Sequence, residues 1–481
     1  MIDTKSFDSY RYGRNVHRTL DDYVVLNGVQ ILSLGEKTIA GAMKFLGAGN
    51  QLLAKKAAAD LSGKGLQLVI ALGMSIALTR ALGAEQYGIY SFVVATVSLV
   101  AIVPRFGSDS NLMRALSGAV ANSSAALAHG VVRFFGIFLS VSSLGTVLTL
   151  AGLFYFWHDS FRIEYRQPLF LGLLLLPSYV FLVVWQNGLR SFQKVLGAQI
   201  PEMSYRAVIL LGAILSIAFA LPFTANEAIV LTAFSAAAAS ILCFVMLVKL
   251  LPSTNSPHIY KRREWALLSA PLLISGGAST LLSQTDVFML GLLADSSETG
   301  VYAVASRVAG IAQVVLLGVT AIGSQQAAHF FVVGNMEELQ SLATTIARWV
   351  TASFVPTALL LSVTAPYFLP LFGAEFEEAY IPLLILIVGQ FAVAASGAAL
   401  ILLTMTNGQV LAATTLASGA AVNVLLNYFL IPTHGMVGAA IATATTTVFI
   451  QVVLVVVLRT RGGINPTIFR RPQGLRSNTN Q

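Results

Sequence analysis

The chain has 481 residues, of which 56% are hydrophobic and only 10% are charged, and its formal net charge is +8. Soluble domains typically carry roughly 25% charged residues, so this composition excludes an ordinary soluble domain and indicates a membrane protein. The single cysteine excludes a disulfide within the chain. The histidines show no i, i+3 or i+4 pairing, so neither a metal site nor metal catalysis is predicted.

Residues 1–60 are predicted to form a cytoplasmic N-terminal extension. Its arginines and aspartates make it too polar for a cleaved secretory signal. Two interpretations of the stretch LSLGEKTIAGAMKFLGAGNQLLAKKAA, at 32–58, stay open. It is either an amphipathic helix on the membrane surface or a disordered or wrongly assigned start.

Apolar segments long enough to cross a bilayer recur after this extension, since a hydrocarbon core of about 30 Å needs roughly 20 apolar residues per helix. Twelve are predicted, at 64–83, 87–104, 130–156, 168–189, 203–222, 227–251, 266–293, 300–326, 346–372, 379–403, 409–431 and 436–458. The longest polar interruption follows the sixth. We therefore predict an all-α membrane protein with two six-helix pseudo-repeat lobes around a central cleft. The predicted units are an N-lobe at 61–252, a cytoplasmic loop at 253–264, a C-lobe at 265–459 and a basic cytoplasmic tail at 460–481.

Lysine and arginine placement predicts the orientation, because positively charged flanks stay on the cytoplasmic side. With an inner N-terminus, the inner side receives most of the basic residues that flank the spans, Arg206 among them. The outer side receives only Arg80, Arg162 and Arg166. Both termini are then cytoplasmic. Topology and contact with anionic lipid headgroups explain the net charge, so no nucleic-acid partner is invoked.

A weak internal repeat relates the two halves. Gly88 and Tyr90 follow the first span as Gly300 and Tyr302 follow the seventh, at an offset of 212 positions. Parallel repeats around a central cleft are a transporter architecture, with the substrate bound between the halves. A channel and a membrane-embedded enzyme stay open at this point.

Two charged side chains are predicted near the middle of the membrane, where ionisable groups are costly and usually functional. Asp286 lies nine residues before Asp295, and Arg307 lies nine residues after Glu298. If a short outer loop joins the two helices, both groups are about 13 Å deep. Either they form a buried pair that holds the hairpin together, or they face the cleft and bind substrate or an ion.

Other polar residues within the spans carry two interpretations each. Arg80 and Arg133 are near span ends, where a long side chain reaches the interface, or else they face the cleft. Asn423 and Asn427 are four residues apart and share one helix face. They form either hydrogen bonds between helices or a polar cleft wall.

Three stretches resemble the oligosaccharide and polysaccharide flippases of Wzx type, within the superfamily of multidrug, oligosaccharidyl-lipid and polysaccharide exporters. They are LSGKGLQLVIALGMSIALTRALGAEQYGIYSFVVA at 61–95, LPLFGAEFEEAYIPLLILIVGQF at 369–391 and VNVLLNYFLIPTHGMVGAAIATA at 422–444. The third, which is the most specific, is shared with the multidrug branch. The first resembles the polysaccharide branch more closely, as does the seventh-span aspartate followed by GVYAVASR. The sixty-residue extension departs from the pattern. The absence of the two further spans typical of lipid II flippases argues against a peptidoglycan precursor as cargo.

The resemblance implies a V-shaped cleft that opens alternately to each side of a bacterial inner membrane. Its implied cargo is an undecaprenyl-diphosphate-linked oligosaccharide for surface polysaccharides such as O-antigen or exopolysaccharide. On this hypothesis Arg307 contacts the diphosphate, Arg80 and Arg133 assist, and Gln284, Asn423 and Asn427 line the sugar path. Asp286 pairs with Arg307 until substrate, a proton or a sodium ion displaces it.

Membrane lipids and a polysaccharide polymerase are the further partners expected, and no cofactor or catalytic residue is expected. One alternative is an ion-coupled multidrug exporter, which would favour acidic binding groups. The other is a membrane enzyme such as a glycan polymerase or ligase, which would need larger outer loops. No glycine-rich loop with lysine is present to bind a nucleotide, so a gradient or downstream consumption of product is expected to supply the energy.

Overall fold

A computed structural model describes residues 51–157, 162–192, 195–254, 256–313, 323, 326–397, 399–406 and 408–468. Helices account for nearly all of these residues, and none of them lies in a strand. The predicted extension up to residue 50 and the tail from residue 469 lie outside the described residues. The all-α prediction is confirmed.

The helices are numbered here in chain order. They are α1 (Gln51–Val100), α2 (Ile102–Arg105), α3 (Ser108–Ala121), α4 (Ala125–Trp157), α5 (Ile163–Arg190), α6 (Val195–Ala218), α7 (Ala225–Leu250), α8 (Arg262–Leu293), α9 (Ser296–Ala309), α10 (326–333), α11 (Met336–Phe368), α12 (Tyr380–Ala395), α13 (Ala399–Met405) and α14 (Gln409–Gly462). Short 3-10 segments follow α9 and α11.

Eight helices in the described part of the chain are long and apolar enough to cross a membrane, or nine if α8, which is bent by 41°, counts as one span. Two of the eight, 62–105 with 44 residues and 409–462 with 54, are about twice the length that one crossing needs. Each is broken at a glycine with positive φ: Gly83 has a φ of 72° and Gly435 a φ of 53°. Predicted spans one and two, like spans eleven and twelve, therefore meet at a glycine break rather than at a loop.

Three predicted boundaries differ from the structure. The fifth span begins with α6 at Val195, eight residues earlier than predicted. The tenth is not one helix, because Gly397 with a φ of 62° separates α12 from α13. The eighth lies partly outside the described residues, since α9 and its 3-10 extension are described only to Gln313.

Lipid-facing stripes confirm that the helices belong in a membrane. On α4, Ile137, Val141, Leu144 and Leu148 are spaced by four, three and four residues and are 58–68% exposed. Such a stripe would form an unfavourable apolar surface in water, whereas in a bilayer it contacts acyl chains. The chain is a multi-pass membrane protein.

Two glycines bring the first half (62–250) and the second half (262–468) into contact at the predicted outer face. A Cβ atom added at Gly88 would lie 1.6 Å from the carbonyl oxygen of Ser296, and one at Gly300 would lie 2.2 Å from the carbonyl oxygen of Ala84. Ser296 is 212 positions after Ala84, as Gly300 is after Gly88. The two contacts are therefore equivalent and reciprocal. We call the contacts of residues 80–90 with 294–300 and 370–376 the outer junction.

Two carboxylates from the segments of the outer junction bond the backbone next to the two helix breaks. Glu375 accepts a hydrogen bond from the backbone N–H of Ala84 at 2.9 Å, directly after the break at Gly83. Glu298 accepts one from Met436 at 2.8 Å, directly after the break at Gly435. Each carboxylate thus caps the first turn of the helical arm that follows a break at a glycine. Backbone N–H groups in such a first turn lack partners within the helix.

Candidate functional site

The mid-membrane aspartate lies at the centre of a buried hydrogen-bond cluster. Oδ1 of Asp286 accepts from Nδ2 of Asn427 at 2.8 Å, and Oδ2 accepts from the hydroxyl of Tyr302 at 2.8 Å and from the hydroxyl of Thr443. Asn427 also donates to Oδ1 of Asn423 at 3.1 Å. Asp286 is 5% exposed and Tyr302 fully buried. We call these five residues the aspartate cluster.

Helix geometry explains why these residues meet. Asn423 and Asn427 are one turn apart on the first arm of α14, and Thr443 lies on the arm after the break at Gly435. Asp286 and Tyr302 lie on the antiparallel helices α8 and α9, which a turn at Ala294 and Asp295 connects. The expected bond between helices is therefore formed by Asn427, and Asn423 supports it from the same face.

The predicted pair of Asp286 with Arg307 is wrong for the conformation described. Nη1 of Arg307 donates instead to the hydroxyl of Ser75 on α1 at 3.1 Å, and that hydroxyl lies 3.1 Å from the hydroxyl of Tyr87. Arg307 lies five residues after Tyr302, which places the two side chains about 140° apart around the helix at 3.6 residues per turn. Tyr302 therefore faces the aspartate, whereas Arg307 faces the first half of the chain.

The other predicted site residues, Arg80, Arg133 and Gln284, lie outside the aspartate cluster. Arg80 is exposed and donates to the carbonyl oxygens of Leu371 at 2.7 Å and Pro370 at 3.2 Å, so it belongs to the outer junction. Arg133 is exposed and lies one turn before Ile137 on the lipid-facing stripe of α4, which favours the snorkelling interpretation. Gln284 is half-buried and lies two residues before Asp286, on nearly the opposite side of α8.

A polar cavity of about 420 Å³ opens beside the aspartate cluster within the second half. Its polar lining comes from Ser279, Ser283, Asp286, Ser306, Gln390, Asn423, Thr443, Thr446, Thr447 and Gln451. Ser279 and Ser283, two turns and one turn before Asp286 on α8, thus line it together with Asn423, whereas Gln284 does not. Ser75, Tyr87, Tyr302 and Thr443 were not predicted, although Tyr302 belongs to the repeated Gly-x-Tyr pattern that could have revealed it.

Three oxygen atoms at or beside this cavity lack a described hydrogen-bond partner: Oε1 of Gln390, Oδ1 of Asn427 and Oγ1 of Thr446. Buried oxygens of this kind are costly unless a ligand or water satisfies them. Together with the carboxylate of Asp286 they form an all-oxygen set, which is what a hard cation prefers. No group of three or more His, Cys, Asp or Glu residues suited to a metal ion occurs among the described residues.

A known protein family matches a part of the chain that includes both charged residues, Asp286 and Arg307. The matched part also includes the site residues of the first half. The sequence profile of the family described as "Polysaccharide biosynthesis protein" matches residues 53–324, which is more than half of the chain. The chain belongs to the polysaccharide biosynthesis protein family. No curated protein matches it in sequence.

Solved structures place this polysaccharide biosynthesis protein in a transporter fold. The lipid II flippase MurJ, in an inward closed conformation, is similar with a TM-score of 0.64 at 12% identity, covering 82% of this chain and 86% of that one. An inward-facing MATE family multidrug transporter of the MOP superfamily has a TM-score of 0.62 at 14% identity, covering 82% and 94%. The MATE multidrug transporter DinF-BH has a TM-score of 0.61 at 16% identity, covering 88% and 98%. At these identities the similarity establishes the fold.

Proposed function

We propose that this family member moves undecaprenyl-diphosphate-linked oligosaccharide repeat units across the bacterial inner membrane by alternating access, as Wzx-type flippases do. The observation that carries the proposal is the position of Arg307. Its guanidinium extends from the second half to Ser75 of the first half, where it is partly buried. A cation held between two halves by a single neutral hydroxyl is readily transferred to an anionic head group.

The physical problem of such a cargo is its head group. A diphosphate bearing sugars is anionic and strongly hydrated, so it needs polar partners in place of water while it crosses hydrocarbon. Arginine matches phosphate oxygens with paired N–H donors. Arg307 therefore contacts the diphosphate, while the lipid tail stays in the bilayer.

The aspartate cluster provides a means of ion coupling. Asp286 together with the unpaired oxygens of Asn427, Gln390 and Thr446 would hold a sodium ion, and Asp286 alone would hold a proton. The cluster joins α8, α9 and both arms of α14, so a change of its charge acts on the packing of all three helices. An ion gradient could in this way drive the movement of the halves.

The expected location is the inner membrane with cytoplasmic termini, supported by the distribution of basic residues. The two six-helix lobes remain part of this proposal. A polysaccharide polymerase that consumes the translocated repeat units is the expected downstream partner.

A deletion strain tests the cargo. Mass spectrometry of undecaprenyl-linked glycans, with surface polysaccharide measured in parallel, should detect accumulated complete repeat units and lost polymer. Unchanged lipid-linked pools together with raised drug sensitivity would refute the flippase and favour a multidrug exporter, whose solved examples share the fold.

Variants of Arg307 test the binding residue. Arg307→Gln and Arg307→Ala should lower polymer output of the complemented deletion strain by at least tenfold, because neither carries the charge that the diphosphate requires. Arg307→Lys should retain a substantial part of the polymer output, because it keeps the positive charge. Arg114→Gln, which removes an exposed cation on α3, is the matched control and should behave as wild type. Equal activity of all three Arg307 variants, at equal expression, would contradict the role.

A further inference from the structure

A second arginine lies near the middle of a long apolar helix in the first half of the chain. The sequence pattern assigned Arg206 to the inner flank of the fifth span, but the helix begins eight residues before that predicted span. Helix α6 begins at Val195 and ends at Ala218, so that Arg206 lies close to its middle, about 16 Å from the first residue at 1.5 Å per residue. Charged groups at this depth are costly and usually serve a function.

Arg206 lies on the interior face of α6. The exposed apolar residues Val208, Leu211 and Leu215 define the lipid-facing side. Arg206 is seven residues from the fully buried Ala213, which places both on the opposite side. Its side chain nevertheless keeps 24% exposure, which must therefore open towards the protein interior.

The guanidinium has one carboxylate partner. Nη2 of Arg206 donates to Oε1 of Glu202 at 2.6 Å, and Nε donates to the hydroxyl of Tyr205 at 3.3 Å. Nη1 donates to no residue in the described part of the chain. Glu202 is itself 21% exposed, so the pair can exchange partners with a ligand from the interior.

Aromatic side chains lie near both arginines. The ring of Tyr90 stacks on the ring of Tyr87 with centroids 6.1 Å apart, and the hydroxyl of Tyr87 lies 3.1 Å from the Ser75 hydroxyl that Arg307 contacts. Tyr205 adjoins Arg206 through its hydroxyl. One arginine from each half therefore lies beside tyrosine side chains, Arg307 through Ser75 and Tyr87, and Arg206 through Tyr205.

We propose that Arg206 is the phosphate-binding residue of the first half and that Glu202 occupies it until a lipid-linked diphosphate displaces the carboxylate. This inference rests on the proposed function and adds to it a second, opposed binding group. A diphosphate has two phosphoryl groups, so Arg206 takes one and Arg307 the other. The cargo thereby contacts both halves. While Glu202 is bonded to Arg206, anions that bind only weakly are kept out of this position.

Binding of defined probes to the purified full-length protein tests the inference. Native mass spectrometry measures decaprenyl diphosphate, decaprenyl monophosphate and inorganic pyrophosphate on wild type, Arg206→Gln, Glu202→Gln and the double variant. We expect Arg206→Gln to weaken diphosphate binding at least tenfold. Glu202→Gln should tighten it several-fold, because the competing carboxylate is gone. Lys249→Gln, an exposed cation at the end of α7, is the matched control and should leave binding unchanged.

The double variant guards against a folding artefact, because it removes both charges and leaves no uncompensated partner. Wild-type affinity of the double variant for decaprenyl diphosphate would overturn the inference, as would weaker binding by Glu202→Gln. Equal affinity of wild type for inorganic pyrophosphate and for the lipid would overturn the assignment to a lipid head group. Failure of wild type to bind any polyprenyl diphosphate would instead count against the proposed function itself.

Discussion

Gly88→Ala is expected to abolish polymer export almost completely. The added methyl group would lie 1.6 Å from the carbonyl oxygen of Ser296, whereas carbon and oxygen atoms in contact keep about 3.3 Å or more. The obstacle is backbone, so no side chain can turn away. The halves must separate at the outer junction by more than an ångström, and overpacking of this kind typically costs about 1–3 kcal/mol.

The measurement is complementation of a deletion strain, together with the thermal unfolding temperature of the purified variant. Gly300→Ala should have the same effect to a smaller degree, because its methyl group would lie 2.2 Å from Ala84. Gly145→Ala on α4 is the matched control, since nothing lies within 4 Å of the added methyl group there. It should be neutral or stabilising by up to about 1 kcal/mol through helix propensity. Wild-type export by Gly88→Ala would show that the outer junction does not need to close.

Asp286→Asn and Asp286→Ala are expected to separate the structural role of the aspartate cluster from its ionic role. Alanine strands the amide of Asn427 and the hydroxyls of Tyr302 and Thr443, and each buried group left unsatisfied costs about 1–3 kcal/mol. Asparagine preserves the shape, and the two hydroxyls can rotate to accept from it. We expect Asp286→Ala to unfold at a much lower temperature, and Asp286→Asn to remain folded but inactive.

Thermal unfolding with and without sodium, and at several pH values, measures the ionic role. Wild type should gain stability from the coupling ion, and Asp286→Asn should not. Asp295→Asn serves as control, because Asp295 is exposed and its side chain forms no capping bond. An Asp286→Asn variant with full export and an unchanged ion response would refute ion coupling at this residue.

The sequence was sufficient for the helical class and for the position of most spans, because long apolar segments are a strong signal. It also placed Asn423 and Asn427 on one face, which the structure confirms through their mutual hydrogen bond. It did not identify the partner of Asp286. The depth of a side chain along a helix follows from counting residues. Pairing also requires that both side chains point towards each other around their helix axes. Tyr302 points towards Asp286 in this way, and Arg307 does not.

Arg206 shows the other kind of failure. The polar residues Glu202, Ser204 and Tyr205 lower the local hydropathy, so the predicted span began at residue 203 and a charge in the middle of the helix was counted as an inner flank. Several polar residues close together near the end of an apolar segment move its predicted boundary inward. The boundary error and the misplaced charge therefore have the same cause.

The reciprocity of the outer junction determines how it can open. Gly88 meets Ser296 while Gly300, four residues later on the same helix as Ser296, meets Ala84. Each of the two segments thus takes part in both contacts, and neither contact can separate while the other stays closed. We therefore expect the two contacts to open together, so that the outer junction has a closed and an open state and no stable half-open state through which small ions could leak.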